Sequence, residues 1–197
     1  MILALASASP AAADMIDYSG VKPWEHCALC HSLDGVSRMA RFPKLAAQVP
    51  AYIEKQLMDF RAGRRTNDGE QMQASAVVIE DKDIPLVAAY FGGLPPPPPA
   101  EPPAPAALKI ASTLAEAGDG RRGLPACLSC HGRAAVAASA APRIEAQHAD
   151  YIAKQLRDFK SGDRGNDPAN VMAGVAGRLS EDEITALAGY FASRERK

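Results

Sequence analysis

The sequence predicts an all-α fold built from two tandem helical domains that are joined by a proline-rich linker. Apolar residues recur at helical spacing, and no segment alternates apolar and polar residues as a half-buried strand would. Segments of the first half recur in the second half at an offset of 99 or 100 residues, which is typical of a duplicated domain. We therefore expect two small domains of related structure.

The chain of 197 residues divides into four predicted segments. Residues 1–13 are apolar and end in alanines of the kind that leader peptidases cut, although a basic start is missing, so we interpret them as the remnant of a leader peptide. Residues 14–94 and 108–197 form the two domains. Residues 95–107, PPPPPAEPPAPAA, form an extended polyproline linker, for which a docking ligand for another protein is the alternative interpretation.

Several helices can be placed within these domains. Residues 52–62 carry an apolar stripe on one helical face, and Gly63 is suited to end that helix. The last helix of the second domain opens with a capping box at Ser180, and Pro85 suits the opening turn of its counterpart in the first domain. A further helix over residues 108–117 leads into the second domain.

Each domain contains the pentapeptide Cys-x-x-Cys-His, and the two copies use all four cysteines of the chain. Two thiols at that spacing each add to a vinyl group of one porphyrin, and the following histidine becomes the proximal ligand of the iron. The pattern predicts two covalently attached haem c groups, which also supply apolar mass to domains of this small size. The predicted thioether cysteines and iron-binding histidines are Cys27, Cys30, His31, Cys127, Cys130 and His131.

Other uses of paired cysteines fit this sequence less well. The two pairs together would supply the four thiolates of a zinc site, but zinc does not explain a histidine at the same place after both pairs. A thioredoxin-like redox pair requires a nearby βαβ pattern, and the sequence shows none. A zinc site and disulfides are the alternatives to haem.

Each domain also offers a methionine for the sixth coordination position of its iron. Met72 and Met172 each lie 41 residues after the proximal histidine, in the loop before the last helix. A thioether ligand favours ferrous iron and raises its potential. The alternative interpretation is a pair of flexible core methionines, yet no other methionine keeps its place in both halves. His26 and His148 lack a counterpart, so we expect ordinary surface or core histidines there.

Two further pairs of residues recur around the predicted haems. A backbone carbonyl in the loop of Pro43, and of Pro142 in the second half, is placed to accept the N–H of the proximal imidazole and orient its ring. Arg65 and Arg164 follow the helix over 52–62 and its copy, where they are placed to pair with haem propionates. Solvated surface arginines are the alternative interpretation.

The charge and hydropathy of the chain exclude several classes of partner. The net charge is −1 and no basic stripe is present, so we expect no binding to nucleic acid. No apolar run approaches the roughly 20 residues of a spanning helix, so we expect no stable membrane insertion. Residues 14–94 carry a net charge of −2 and residues 106–197 one of +2, which orients the two ends differently toward redox partners.

Together these features resemble the cytochrome c4 family of dihaem cytochromes, which carry two tandem class I c-type domains. The resemblance covers nearly everything after residue 13. It implies two His/Met haems, with His31 paired to Met72 and His131 to Met172, and haem propionates near the domain interface. It also implies a periplasmic location. Besides the first haem motif, the matching segments are FPKLAAQ, YIEKQLMDFRAGRRTNDGEQM, GLPACLSCHG and AQHADYIAKQLRDF.

The sequence departs from that family in three places. Gly20 and Pro23 interrupt the short segment before Cys27, so we do not expect a first helix to pack against the last helix of the first domain. Residues 133–141 form a loop rich in alanine. The linker contains more prolines than the family pattern implies, which is expected to reshape the contact between the domains.

The resemblance implies an electron carrier and not an enzyme, because both axial positions of each iron are filled. Its implied partners are a cytochrome bc1-type donor and a membrane-bound terminal oxidase or reductase, reached through small, transient interfaces. One alternative is the cytochrome subunit of a periplasmic dehydrogenase, such as a sulfide-oxidising flavocytochrome. Another is a dihaem enzyme, such as a peroxidase or a thiosulfate oxidoreductase, which requires an open iron site.

Overall fold

The computed structural model describes residues 20–138 and 141–196, so the predicted leader lies outside the described residues. Ten α-helices and three short 3-10 helices occur in the described ranges, without any β-strand, which confirms the predicted all-α fold. The first half contains α1 (Pro23–His31), α2 (Pro50–Arg61), α3 (Gln71–Val77) and α4 (Ile84–Gly93). The second half contains α5 (Pro105–Glu116), α6 (Leu128–His131), α7 (Arg133–Ala138), α8 (Ala149–Ser161), α9 (Val171–Ala176) and α10 (Glu181–Ala192).

The ends of these helices follow from local sequence. Pro50 occupies the first turn of α2, two residues before the predicted start, because proline is pre-set for that position. Gly63 follows the helix in the left-handed conformation (φ 67°). The capping box of α10 is present: the amide of Glu183 donates to Ser180 Oγ (3.2 Å), and the amide of Ser180 donates to Glu183 Oε2 (2.9 Å).

Each half has its own apolar core. In the first half, α2, α3 and α4 bury a cluster around Phe60 and Phe91. In the second half, α5, α8 and α10 bury a larger cluster around Leu114, Ile184 and Phe191. Separate cores are what a duplicated domain requires, because each copy must bury its own helices.

In the second half, α5 packs on α10. The segment equivalent to α5 in the first half, residues 5–17, lies outside the described residues. Among the residues described, α1, which carries the haem motif, packs on α4, and its Trp24 ring stacks on Tyr90 (centroids 4.6 Å apart). The segment before Cys27, for which no packed first helix is expected, is described only from Gly20 onward, and there Pro23 lies in the first turn of α1 instead of interrupting a helix.

The linker lies against the second half. Residues 95–104 have no regular secondary structure, and α5 begins at Pro105, three residues earlier than predicted. The amide of Ala100 donates to the carbonyl of Ala192 (2.9 Å), and Pro97 is buried. The alanine-rich segment predicted as a loop forms helix α7 over Arg133–Ala138, which agrees with the high helix propensity of alanine. No described helix is both long enough and apolar enough to cross a bilayer.

Candidate haem sites and the interface between the halves

The four cysteines are free thiols, so the structure gives no support to the disulfide alternative. Cys27 and Cys127 are half-buried, whereas Cys30 and Cys130 are exposed. Among the described residues, no group of three or more histidine, cysteine or acidic side chains is close enough to hold a metal ion in common. The two cysteine pairs therefore do not form a single four-thiolate site.

The histidine that ends each motif is buried and held by one backbone carbonyl. Nδ1 of His31 lies 2.8 Å from the carbonyl oxygen of Pro43, and Nδ1 of His131 lies 2.9 Å from that of Pro142. Burial lowers the pKa of both imidazoles, so they are neutral at neutral pH. A neutral ring that donates through Nδ1 has its lone pair on Nε2, and this atom has no hydrogen-bond partner in the described part of the chain. That is the form of histidine that ligates iron.

The two methionines occupy equivalent places at the start of short helices. Met72 lies in the first turn of α3 and Met172 in the first turn of α9, and both are half-buried. These helices pack on α2 and α8, respectively. The two halves thus present the same set of residues in the same order: two thiols, a buried imidazole and a methionine.

A hydrogen-bond network with near two-fold symmetry joins the halves. Nη1 of Arg65 donates to Oε1 of Gln56 in its own half (2.7 Å). Nη2 of Arg65 crosses to the other half and donates to Oη of Tyr151 and to Oε1 of Gln155, each at 3.0 Å. The equivalent bonds of the second half run from Arg164 Nη1 to Gln155 (2.7 Å) and from Arg164 Nη2 to Tyr52 (3.0 Å) and Gln56 (3.3 Å).

The two arginines of this network are not solvated surface residues. Arg65 is 5% exposed and Arg164 is 6% exposed, and each guanidinium lies over a phenylalanine ring. Among the described residues, neither guanidinium forms an ion pair with a carboxylate. Burial opposes ionisation of the Tyr52 phenol, but both guanidiniums outweigh it and lower its pKa. Buried cations without a carboxylate in direct contact are stabilised by a nearby anion.

Acidic and amide side chains extend the same symmetry outward. Nδ2 of Asn166 donates to Asp59 of the other half (2.6 Å), where Lys55 also pairs with the carboxylate. Nδ2 of Asn67 donates to Asp158 (2.5 Å), which Lys154 pairs in the same way. Each lysine in addition donates to the backbone carbonyl of the asparagine across the interface, at 2.6 Å in both cases.

A second region of contact lies beside the proline loops. The side-chain amide of Gln147 bonds the backbone amide and carbonyl of Lys44, and that of Gln48 bonds those of Arg143 in the same way, at 2.8–3.0 Å. His148 is half-buried, and its Nε2 lies 2.8 Å from Ser37 Oγ in the other half. The interpretation of His148 as an ordinary satisfied histidine agrees with this contact, although its position between the halves was not predicted.

The haem motifs can be recognised from the sequence, whereas the interface is not predicted from it. The apolar residues of the segment 52–60 predict an amphipathic helix, yet its glutamine, lysine and aspartate also recur in the copy. A helix that only fills a core needs its apolar positions to recur. The recurrence of the polar residues Lys55, Gln56 and Asp59 in the second half indicates that this face of the helix contacts its equivalent in the other half.

Two free Cys-x-x-Cys-His segments with neutral, buried histidines, duplicated on small helical domains, define a c-type cytochrome with two haem sites. No family model matches the chain. It is 42% identical over 170 residues to cytochrome c4 of Thiocapsa roseopersicina, covering 83% of this chain and 84% of that protein. It is also 37% identical over 174 residues to the thiosulfate dehydrogenase electron acceptor of Stutzerimonas stutzeri (strain A1501), covering 87% and 80%.

The structures agree with the sequences. The fold matches the crystal structure of reduced recombinant cytochrome c4 from Pseudomonas stutzeri with a TM-score of 0.75 at 36% identity, covering 85% of this chain and 92% of that chain. The chain belongs to the cytochrome c4 family, as the resemblance implied. It is therefore a dihaem c-type cytochrome, an electron carrier and not an enzyme.

Proposed function

We propose that this cytochrome carries electrons in the periplasm, from a cytochrome bc1-type donor to a membrane-bound terminal oxidase or reductase. The observation that carries the proposal is the completeness of both sites, since each half offers a nitrogen and a sulfur ligand for its iron. An iron with both axial positions filled exchanges electrons and leaves no place for a substrate. The apolar, alanine-ended segment 1–13 supports export to the periplasm.

The proposed ligands are His31 with Met72 in the first half and His131 with Met172 in the second. The thioether bonds are assigned to the four motif cysteines, Cys27, Cys30, Cys127 and Cys130. When bound, each haem supplies a one-electron ferric/ferrous couple. The chain holds each imidazole through the carbonyl of Pro43 or Pro142, and this fixes the plane of the ring relative to the iron.

The buried guanidiniums of Arg65 and Arg164 support a proposal for the haem propionates. The protein places two positive charges at the interface without a carboxylate of its own in contact, and an anion is needed to offset them. Carboxylates of the two porphyrins have the right charge, and guanidinium groups bind carboxylates well. Both haems would then have an edge at the interface, which favours electron exchange between them.

The carrier role is tested by the rate of electron transfer with both partners. Purified holoprotein is mixed with membranes of the source organism that contain the donor complex and the oxidase, and the haem absorption is followed in time. We expect reduction that an inhibitor of the donor complex blocks, and reoxidation that an inhibitor of the oxidase blocks. Failure of both membrane complexes to exchange electrons with the protein would contradict the proposal.

A second candidate function is electron acceptance from a periplasmic dehydrogenase. The observation that favours it is the match to a thiosulfate dehydrogenase electron acceptor over 87% of the chain. Because this relative accepts electrons from a thiosulfate dehydrogenase, it favours thiosulfate over sulfide as the substrate of such a dehydrogenase. The holoprotein is mixed with a purified thiosulfate dehydrogenase, and thiosulfate is then added. Haem reduction that requires both the dehydrogenase and thiosulfate would support this role, and its absence at equimolar dehydrogenase would exclude it.

A further inference from the structure

Each half has an aspartate ahead of its methionine helix to which the proposed function gives no role. Oδ2 of Asp68 accepts the backbone N–H of Met72 at 2.5 Å, and Oδ2 of Asp167 accepts that of Met172 at 2.7 Å. The other carboxylate oxygen, Oδ1, is buried in both cases and has no hydrogen-bond partner in the described structure. The same unusual arrangement therefore occurs twice.

The two loops reach this contact by different paths. Asp68 precedes its methionine by four residues, whereas Asp167 precedes its methionine by five, because the second loop has one residue more. Both loops enter the helix through two consecutive left-handed residues, a conformation that is costly for alanine and glutamate but readily adopted by glycine and, less readily, by asparagine. These are Gly69 (φ 71°) and Glu70 (φ 67°) in the first half, and Ala169 (φ 55°) and Asn170 (φ 53°) in the second.

The helices that carry the methionines are too short to be stable on their own. α3 has seven residues and α9 has six, and isolated helices of that length are not stable in water. The amides of a first helical turn have no partner within the helix. The aspartate bond is therefore what fixes the methionine backbone, after a strained loop and at the start of a marginal helix.

We infer that Asp68 and Asp167 are positioning residues for the axial methionines, each acting through the backbone amide of the ligand. This inference rests on the proposed ligation by Met72 and Met172. In both halves the carboxylate accepts the amide of the proposed ligand residue itself, although the spacing between aspartate and methionine differs by one residue. The contact therefore holds the backbone from which the thioether side chain extends.

The test compares variants that remove the acceptor with variants that keep it. Asp68→Ala and Asp167→Ala remove it, whereas Asp68→Asn and Asp167→Asn retain an oxygen that accepts the amide. The matched control is Asp163→Ala, which removes an exposed carboxylate from the same loop region of the second half. One measurement is the proton NMR signal of the axial methionine methyl in the reduced protein, one per haem. The other is imidazole binding to the oxidised protein.

We expect Asp68→Ala to affect only the first haem and Asp167→Ala only the second. Because a hydrogen bond to a charged group is lost, imidazole displaces the methionine of that haem about tenfold more readily. Each asparagine variant restores the affinity of the original protein, and Asp163→Ala leaves it unchanged. If Asp68→Ala does not incorporate haem, the Asp167 variants make the same test in the second half.

Methionine variants separate this inference from the ligand proposal. If Met72→Ala and Met172→Ala leave both methyl signals in place, the assignment of the ligands is wrong. If Met72→Ala and Met172→Ala each abolish one methyl signal, the assignment of the ligands is upheld. If Asp68→Ala and Asp167→Ala then bind imidazole as the original protein does, the positioning inference is overturned. A loss of thermal stability without any change in imidazole binding would also overturn it.

Discussion

The two halves are nearly identical where they face each other and different where they face away. In the central network of the interface, the residues Arg65, Gln56, Tyr151, Asn67 and Lys55 make the same bonds as their counterparts in the other half. On the outer side, Trp24 stacks on Tyr90 of the last helix in the first half, whereas Leu124 occupies the position equivalent to Trp24 in the second half.

This difference shows which contacts the duplication constrains. A surface that meets a copy of itself must change in both copies at once, because each residue has a symmetric partner. An outer surface is free of that requirement, so the first half has a stacked tryptophan beside its last helix where the second half has a leucine. The network of Arg65 and Arg164 with the glutamines and tyrosines is therefore the part of the interface in which we expect equivalent substitutions to have equal effects.

The largest expected effect follows from removing either interface arginine. Arg65→Ala and Arg164→Ala each leave buried acceptors of both halves without donors, and we expect each to lower the free energy of unfolding by about 3–5 kcal/mol. Chemical denaturation of the holoprotein measures this. Arg38→Ala is the control, since that side chain is 78% exposed and its removal costs about 0.5 kcal/mol or less. Clearly unequal losses for the two interface arginines would break the symmetry argument.

A somewhat smaller and one-sided effect is expected on the outer surfaces. Leu114→Ala in α5 removes a side chain that is 6% exposed, and we expect a loss of about 2–4 kcal/mol confined to the second half. Trp24→Ala removes the stack on Tyr90 and should weaken the first half by about 2 kcal/mol. Amide hydrogen exchange in α4 and α10 reports the two halves separately. Equal acceleration in both helices from either variant would contradict independent outer supports.

The carboxylate of Asp59 distinguishes the halves at acid pH. Burial opposes its ionisation, but hydrogen bonds from Lys55, Asn166 and Arg64 outweigh burial and lower its pKa. Its contribution is therefore complete above the unfolded pKa of about 4 and is lost as the pH falls through the lower folded value. Arg64 has no basic counterpart, because Asp163 occupies that position.

We therefore expect Asp59→Asn to cost about 2 kcal/mol at neutral pH and to make stability less dependent on pH below about 4. Denaturation of the original protein and the variant at neutral and acid pH gives both quantities. The comparison is Asp158→Asn. Because the Asp158 carboxylate has no arginine equivalent to Arg64 beside it, this variant should cost less stability. A variant that retains the full acid dependence of the original protein would show that other groups cause it.

The smallest expected effect concerns a contact that has no counterpart. His148 bonds Ser37 across the interface, while the equivalent position in the first half is Val49. Burial and the nearby charge of Lys44 lower the pKa of His148, while the hydrogen bond to the Ser37 backbone and the charge of Asp150 oppose this shift. Stability from the neutral imidazole is complete above about pH 6.5 and decreases as the pH falls through the lower folded pKa.

His148→Gln is expected to cost about 1 kcal/mol at pH 7 and to remove this part of the pH dependence. The measurement is the unfolding free energy of both proteins at neutral pH and at about pH 5. If the variant loses as much stability between the two pH values as the original protein does, His148 is not the group that titrates.

The repeat structure of the sequence explains what could be predicted. Cys-x-x-Cys-His and the capping box at Ser180 are local patterns, and local patterns determine which residues share a turn. The stack of Trp24 on Tyr90 and the bond from Arg65 to Tyr151 join residues far apart in the chain. No spacing rule brings such residues together, so only the three-dimensional structure shows them.

Asp68 and Asp167 illustrate an intermediate case. Their recurrence beside asparagine was visible in the sequence, but the inserted residue before Met172 shifts the spacing between the carboxylate and the methionine. The left-handed residues at which the two loops enter their helices accommodate the inserted residue, so both carboxylates reach the methionine amide. Equal contacts at unequal spacing are not predicted by periodicity.

The most direct test of two equivalent, closed iron centres is the absorption spectrum of the oxidised holoprotein, followed by exposure of the reduced protein to carbon monoxide. We predict a long-wavelength sulfur-to-iron band with the intensity of two sites, and no rapid binding of carbon monoxide to either iron. A band with the intensity of one site, or rapid binding at one haem, would contradict the equivalence of the two halves.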